Sequence, residues 1–193
     1  MPRHFANPFT TDRLILRRLE PGDAAAIQRY RALPDVARYQ SWENYTLADA
    51  STLIAAMIEA EPGVAGTWFQ LAIVEQSRGE LVGDCGLHCL GEDNRLMELG
   101  ITLAPEAQGK GYASEALTAV IDFLFGSLQK HRVHAVTDAA NASAIALFGR
   151  LGFRQEAHFV NHLWFKGAWC SEYVFAMLRT EWGQRHTDSG FSR

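Results

Sequence analysis

The chain has 193 residues, enough for one domain with a sizeable core, and its 48% hydrophobic and 21% charged residues are typical of a globular protein. The net charge of −4 argues against a nucleic-acid-binding surface as the main function. No apolar run reaches the about 18 residues of a membrane span, and the N-terminal stretch MPRHFANPFT lacks a signal-peptide core, so we expect a cytoplasmic protein that binds neither nucleic acid nor membrane.

The first half of the chain predicts a strand, two helices and a hairpin. Asp23 and Thr46 are good N-caps for the two helices, and Pro62-Gly63 stops the second. The two later strands are joined by a turn at residues 76–79. We predict strands over residues 14–19, 67–75 and 80–90, and helices over residues 24–33 and 47–60.

The second half begins with the stretch from Leu96 to Phe125. Its apolar start, Leu96–Leu103, predicts a strand, and from Tyr112 onward apolar residues recur at helical spacing. Gln108–Ala113 forms a tight glycine-containing segment between them. We further predict a strand over residues 132–137, a helix over 142–151 closed by Gly152, and a final hairpin of strands 153–165 and 169–178.

This order of elements predicts an α/β (α+β) fold. Successive antiparallel strands with one parallel crossover imply a mixed, mostly antiparallel sheet of about seven strands with helices on both faces. Residues 1–183 form one domain on this interpretation. The polar residues 184–193 are expected to be a flexible tail.

The segment between the Leu96 strand and the following helix has the features of an anion site. A helix start leaves backbone N–H groups unpaired and carries partial positive charge. Gly109 and Gly111 allow the backbone to approach a phosphate closely, and Lys110 adds a cation. A pyrophosphate fits this arrangement better than any other ligand class.

Two common phosphate motifs do not fit. A Walker A loop requires serine or threonine after the lysine, and here Gly111 follows Lys110. A dinucleotide fingerprint requires a third glycine where this chain has Ser114. The segment does match Gln/Arg-x-x-Gly-x-Gly/Ala at Gln108, Gly111 and Ala113.

That pattern resembles the coenzyme A pyrophosphate loop of the GNAT superfamily of N-acetyltransferases. The resemblance covers residues 11–182 and is closest to the branch of Rim-type ribosomal-protein alanine N-acetyltransferases. The matching phrases are Thr11-Asp12-Arg13-Leu14, Glu98-Leu99-Gly100-Ile101, Gly109-Lys110-Gly111-Tyr112-Ala113-Ser114-Glu115-Ala116, Asn141 and Leu151-Gly152-Phe153.

The resemblance implies acetyl-CoA as cosubstrate, with no metal. Pantetheine would enter where the Leu96 strand parts from the strand at residues 132–137, and the amide of Leu103 would face the thioester oxygen. Asn141 would hold the pantetheine arm, although an asparagine at this position also suits a helix N-cap. The implied cofactor-binding residues are Ile101, Thr102, Leu103, Gln108, Gly109, Lys110, Gly111, Tyr112, Ala113, Ser114, Asn141 and Phe148.

Acetyl transfer to an amine requires a group that removes the ammonium proton, because only the neutral amine attacks. By resemblance Glu98 is the candidate base, and its alternative role is a carboxylate on a solvated strand face. Asp84 and His88, four residues apart on one strand face, are further relay candidates.

The chain departs from the family at the acid. Many members carry a tyrosine where this chain has Phe148, and the Rim-type branch often has a serine where it has Ala144. Ser143, Tyr173 or bulk water remain as candidates for protonating the thiolate.

The acceptor stays open at this point. It could be a protein N-terminus or a small amine, bound by a monomer or a homodimer. Some aromatic residues could line its groove: Tyr30, Tyr39, Trp42, Trp164 and Trp169. The alternative function is a coenzyme A-binding sensor or interaction protein on a GNAT scaffold without catalysis.

Overall fold

A computed structural model of the chain describes residues 8–91 and 93–188, with side chains as far as Gln184. Residues 1–7 of the N-terminal stretch and the last five residues of the expected tail lie outside this range. One eight-stranded sheet has the strand order β1-β2-β3-β4-β5-β6-β8-β7. The strands are β1 (Phe9–Thr10), β2 (Leu14–Arg18), β3 (Trp68–Glu75), β4 (Glu80–Cys89), β5 (Leu96–Leu103), β6 (Arg132–Asp138), β7 (Arg154–Phe165) and β8 (Ala168–Leu178). The helices are α1 (Ala24–Arg31), α2 (Pro34–Ala37), α3 (Leu47–Ile58), α4 (Tyr112–Asp122), α5 (Ala142–Leu151) and α6 (Arg179–Asp188).

The sheet is mostly antiparallel, and its single parallel pair is the one that parts. β5 and β6 are paired only at Leu96↔Arg132, Met97↔Val133 and Glu98↔His134. On its other side β5 stays paired with β4 as far as Gly83↔Leu103. The second half of β5 therefore borders a gap, which confirms the predicted mixed, splayed sheet.

Helices cover both faces of the sheet. On one, here called the α1 face, Tyr30 and Arg31 of α1 bond to Asp84 of β4. On the other, the α5 face, Phe148 of α5 stacks on Phe175 of β8 with ring centroids 5.6 Å apart. Apolar side chains between sheet and helices form one buried core.

Capping signals placed most helix starts correctly. Thr46 accepts a hydrogen bond from the Asp49 amide in a capping box, and Asn141 accepts one from the Ala144 amide at the start of α5. Gly152 ends α5 in a left-handed conformation with φ 76°.

Four features were not predicted from the sequence. The two-residue strand β1 makes eight strands rather than about seven, and α2 forms in a segment that was interpreted as irregular. A π-helical turn over Phe123–Ser127 continues α4. The chain after β8 forms α6, which includes residues 184–188 of the expected tail.

Candidate active site

A cleft of about 590 Å³ opens where β5 and β6 part, and it continues over the α1 face. Its size suits a ligand of ordinary metabolite dimensions. Of the sequence-predicted site residues, the cleft brings together Glu98, Ile101, Thr102, Asn141 and Phe148. Its other walls come from α1, α3, the loop after α2, and the β7–β8 hairpin.

The glycine loop lies just beyond the end of β5. Gly109 and Gly111 both adopt left-handed conformations, with φ 74° and 83°, which favour glycine. A Cβ added at Gly109 would meet no described atom within 4 Å, so the backbone there is open to an approaching group. α4 begins directly after Gly111. The open, positively polarised helix start fits a pyrophosphate.

Arg13 and Glu115 hold this loop in place. Glu115, in the first turn of α4, accepts hydrogen bonds from Thr11 Oγ1 at 2.5 Å, from the Arg13 amide at 2.9 Å and from Arg13 Nε at 2.7 Å. Arg13 Nη1 donates to the Lys110 carbonyl at 2.9 Å, and its guanidinium lies 4.7 Å from the centre of the Tyr112 ring. The Thr11-Asp12-Arg13-Leu14 phrase thus serves to fix the loop, a role that the sequence did not reveal.

The negative charge of Glu115 is balanced by its ion pair with Arg13. Partial burial opposes its ionisation, but the hydrogen bonds from Thr11 and Arg13 outweigh burial, so its pKa lies below the ordinary value. A carboxylate beside an anion site would repel the ligand. Pairing with Arg13 removes most of that repulsion.

The backbone of β5 presents alternate residues to the gap. The Ala104 amide donates to the Val82 carbonyl on the β4 side, so Leu103 and Ile101 direct their backbone groups to the opposite edge. Gln108 Nε2 donates to the Leu103 carbonyl at 3.1 Å, closing the loop against the strand end. Thr102 was also predicted to bind the cofactor. Its backbone groups point to β4 instead, so only its side chain lines the cleft.

Asn141 and Phe148 stand on the other wall. Asn141 Oδ1 caps α5 through the Ala144 amide at 3.1 Å, which leaves its amide nitrogen as the group that would donate to pantetheine. Phe148 is 4% exposed and packs its ring against Phe153 and Phe175. The two roles predicted for Asn141, helix cap and pantetheine ligand, are therefore compatible, because they use different atoms of its side chain.

Glu98 stands on the last rung before the gap, flanked by two histidines. His88 Nδ1 lies 3.5 Å from Glu98 Oε2, and the His88 ring stacks on Trp68 at 4.6 Å between centroids. His134 is the register partner of Glu98 on β6, and its Nδ1 lies 3.0 Å from the Met97 carbonyl. Burial lowers the pKa of His134 although the charge of Glu98 opposes this, so its imidazole is neutral at neutral pH.

Asp84 does not belong to this relay. It is fully buried and accepts hydrogen bonds from Tyr30 Oη at 2.7 Å, from Gln70 Nε2 at 2.5 Å and from Arg31. Burial of Arg31 disfavours its charged form. The charge of Asp84 and its hydrogen bond favour that form more strongly, so the pKa of the Arg31 guanidinium is raised. The prediction that Asp84 completes a proton relay is not supported, because its oxygens are already used.

The two predicted proton donors lie away from the cleft lining. Ser143 is exposed on the first turn of α5. Tyr173 is on the α5 face of β8, where its ring contacts His158 at 4.5 Å and Phe175 at 6.2 Å. Their role as thiolate acids stays a prediction that this placement does not favour.

The aromatic candidates divide into three groups. Tyr39 and Trp42 line the cleft, whereas Tyr30 is buried against Asp84. Trp164 and Trp169 form an exposed pair at the β7–β8 hairpin, with centroids 5.5 Å apart. The sequence missed several lining residues, which come from helices α1 and α3 and from strands distant in the chain: Arg31, Leu53, Met57, Trp68, Gln70, Gly86, Gly100, Leu163, Phe165, Cys170 and Glu172.

The loop after α2 is tied across the cleft. Tyr39 Oη donates to the Ala140 carbonyl at 3.2 Å, beside Asn141. Lys166 Nζ, at the tip of the β7–β8 hairpin, donates to the Ala37 and Trp42 carbonyls at 2.6 and 2.8 Å. These contacts hold the loop so that it covers the α1-face part of the cleft.

The sequence profile of the Acetyltransferase (GNAT) domain matches residues 13–154, most of the chain. The chain belongs to the GNAT acetyltransferase family. Within this family it is 30% identical over 172 residues to the uncharacterized N-acetyltransferase p20 of Bacillus licheniformis, covering 89% of this chain and 96% of that one. Both the recognised family and the expected enzyme class, an acetyl-CoA-dependent N-acetyltransferase, are thereby confirmed.

Two further GNAT relatives carry names that include an acceptor. The [ribosomal protein uS5]-alanine N-acetyltransferase of Escherichia coli K12 is 26% identical over 180 residues, covering 90% of this chain and 91% of that one. A crystal structure of spermidine N-acetyltransferase from Vibrio cholerae, in complex with CoA and spermine, superimposes with a TM-score of 0.77 at 24% identity, covering 89% and 99%. The second likeness shows the fold alone. Among the described residues, no helix of this GNAT protein is both long and apolar enough to cross a bilayer.

Proposed function

We propose that this protein transfers the acetyl group of acetyl-CoA to a primary amine by direct attack in a ternary complex. One observation carries the proposal: Glu98 lies on the last paired rung before β5 and β6 separate and lines the cleft. A single carboxylate thus faces both the gap that suits a pantetheine arm and the open space that suits an amine.

The chain offers holding groups for the pyrophosphate and for the pantetheine arm of acetyl-CoA. The start of α4 with Gly109, Lys110 and Gly111 would take the pyrophosphate. Asn141 and the gap-facing backbone of Ile101 and Leu103 would hold pantetheine. The Leu103 amide is the proposed donor to the oxyanion that forms on the thioester carbonyl.

The chemical steps follow from these positions. Glu98 takes a proton from the ammonium, directly or through water, and the amine nitrogen then attacks the carbonyl carbon. A C–N bond forms, the C–S bond breaks, and the thiolate leaves. The attacking nitrogen loses its second proton to water, which balances the proton that the thiolate gains. We assign the proton that reaches the thiolate to water, because Phe148 lacks a hydroxyl and Ser143 and Tyr173 lie away from the cleft lining. We assign the next acceptor of the proton from Glu98 to His88, whose Nδ1 lies 3.5 Å from Glu98 Oε2.

Two acceptor classes stay open, a protein N-terminus and a small amine such as a polyamine, and both present a primary amine; the name of the Escherichia coli relative supports the first. The primary test is release of free thiol from acetyl-CoA with a panel of amines. Glu98→Gln is expected to lower kcat by about 10²–10⁴-fold with little change in acetyl-CoA affinity. Glu59→Gln, on the exposed end of α3, is the matched control and should behave like the wild type.

The proposal fails if the wild type releases no thiol with any amine, or if Glu98→Gln keeps wild-type turnover across pH. The first result would favour a coenzyme A-binding sensor, provided that calorimetry still detects acetyl-CoA binding. The second would assign the base to water or to another side chain.

A further inference from the structure

Two glycines face each other across β4 and β5 at the floor of the cleft. Gly86 and Gly100 are register partners and both line the cleft. The rungs on either side, on the same face, are His88↔Glu98 and Asp84↔Thr102. Because side chains alternate along a strand, the glycine pair removes the β4 and β5 side chains from one row of the α1 face, which Gln70 continues on β3. We call this slot, bounded by Gly86, Gly100, Glu98, Gln70 and Trp68, the glycine trough.

The two glycines are not equivalent. A Cβ on Gly86 would lie 3.0 Å from Gln70 Oε1 and 3.1 Å from Trp68 Cζ3, so these side chains already lean over it. A Cβ on Gly100 would meet no described atom within 4 Å. The open part of the trough therefore lies over Gly100, at the edge of β5 that borders the gap.

The groups that face the trough suit an ammonium ion. Gln70 Nε2 is fixed on Asp84 at 2.5 Å, and this bond directs Gln70 Oε1 toward Gly86. Glu98 supplies a carboxylate on the opposite side. The Trp68 ring, held by its stack on His88, adds an aromatic face. Gln70 Oε1 and the Glu98 oxygens accept hydrogen bonds, and an ammonium group donates them.

The shape of the trough limits what can be attached to the amine. An unbranched methylene chain has the cross-section of one side chain, so it can take the place of the missing row. A carbon that carries a branch next to the amine needs the space that Glu98 and Thr102 occupy on the neighbouring rungs. Contact with these rungs would move the nitrogen away from the gap.

We propose that the glycine trough is the acceptor channel, that the lack of a side chain at Gly100 keeps it open, and that the acceptor is a primary amine at the end of an unbranched alkyl chain. This inference rests on the proposed acetyl transfer. It chooses between the two open acceptor classes, because the α-amine of a protein N-terminus beyond glycine sits on a branched carbon. The amine nitrogen lies between Glu98 and the gap, with the chain running over Gly100.

The test uses n-butylamine and its branched isomer sec-butylamine, with an alanine-initiated peptide as a third acceptor. Wild-type kcat/KM should be highest for n-butylamine. A single methyl group that a fitted pocket cannot place is worth about 10–200-fold, so we expect a preference in that range over sec-butylamine. Equal or higher kcat/KM for sec-butylamine or the peptide would overturn the inference.

Gly100→Ala is the decisive variant. Its added methyl points into the open trough and touches no described atom, so folding and acetyl-CoA affinity should be unchanged. We expect kcat/KM for n-butylamine to fall by about 10–200-fold. Gly126→Ala is the matched control, since its Cβ also meets no described atom within 4 Å and it lies outside the cleft lining. Unchanged kcat/KM in a folded Gly100→Ala that still binds acetyl-CoA would overturn the inference.

A binding measurement separates this inference from the proposed function. If wild-type protein acetylates no amine, the proposed function fails, and titration of n-butylamine into the CoA-saturated protein still tests the trough. Heat of binding in the wild type and in Gly126→Ala, but not in Gly100→Ala, would support the trough as an amine site. Absence of binding in the wild type would overturn it.

Discussion

Arg13→Ala is the change that tests how the proposed coenzyme A loop, residues 108–113, is held. The side chain makes three polar contacts: with Glu115 Oε2 from Nε at 2.7 Å and from Nη2 at 2.6 Å, and with the Lys110 carbonyl from Nη1 at 2.9 Å. Its removal breaks the tie to the Lys110 carbonyl. The Glu115 carboxylate keeps its hydrogen bonds from the Thr11 hydroxyl and the residue-13 amide but loses its guanidinium beside the proposed pyrophosphate position. We therefore expect weaker binding of acetyl-CoA.

The size of the effect follows from how exposed the pair is. The Arg13 side chain is 48% exposed and that of Glu115 is 17% exposed. Fully exposed ion pairs contribute about 0.2–1 kcal/mol, and hydrogen bonds to charged groups contribute about 1.5–3 kcal/mol. A half-exposed pair should lie between these limits, at about 1–2 kcal/mol, which corresponds to a loss of roughly 5–30-fold in affinity.

Calorimetric titration with acetyl-CoA measures this loss directly. Acetyl-pantetheine, which lacks the pyrophosphate, should bind Arg13→Ala and wild type equally. Glu115→Gln should cost less than Arg13→Ala, because it removes the tie and the repulsive charge together. The double variant should resemble Glu115→Gln rather than the sum of the two changes.

Arg29→Ala, on the exposed surface of α1, controls for loss of a positive charge alone. Wild-type acetyl-CoA affinity in a folded Arg13→Ala would refute the reasoning. An equal loss of acetyl-pantetheine affinity would also refute it, since the effect would then not involve the pyrophosphate.

Three further outcomes can be measured. Phe148→Tyr places a hydroxyl among packed aromatic rings, so we expect either a small gain in turnover or a fall of about 1–3 kcal/mol in the free energy of unfolding; a large gain with unchanged stability would show that chemistry was limited by the missing acid. Ser143→Ala and Tyr173→Phe should each leave turnover unchanged, because neither side chain lines the cleft. A hundredfold loss of turnover in either variant, with acetyl-CoA affinity kept, would identify that side chain as the group that protonates the thiolate and would contradict protonation by water. Hydrogen bonding to Arg132 lowers the pKa of Glu156 to about 2 from its usual 4.5, so this carboxylate stabilises the fold above pH 4.5 and loses its effect as the pH falls toward 2. In Glu156→Gln, the free energy of unfolding should therefore depend less on pH between 4.5 and 2. An unchanged pH dependence would count against the ion pair.

Much of the fold could be predicted because its signals are local. Leu96–Leu103 and Ala142–Leu151 have the predicted bounds, since each combines clear periodicity with strong punctuation, such as Asn141 before α5 and Gly152 after it. The glycine loop was recognisable for the same reason, because its conformation depends on a few adjacent residues. α2 and α6 were missed because their sequences are short or polar and tertiary contacts decide their conformation.

The sequence by itself identified the family and predicted the glycine loop and Glu98 as site residues, and both of these roles stay predictions. Only the tertiary structure decided which groups meet: Arg13 and Glu115 are 102 positions apart, and His134 is the register partner of Glu98 only because β6 pairs with β5 for three rungs. The tertiary structure also decided that Asp84 forms a buried ion pair with Arg31 and that Gly86 and Gly100 lie side by side and form a trough. The physical reason is that helix caps and turns are encoded within a few residues, whereas side-chain neighbours across a sheet depend on strand order and register.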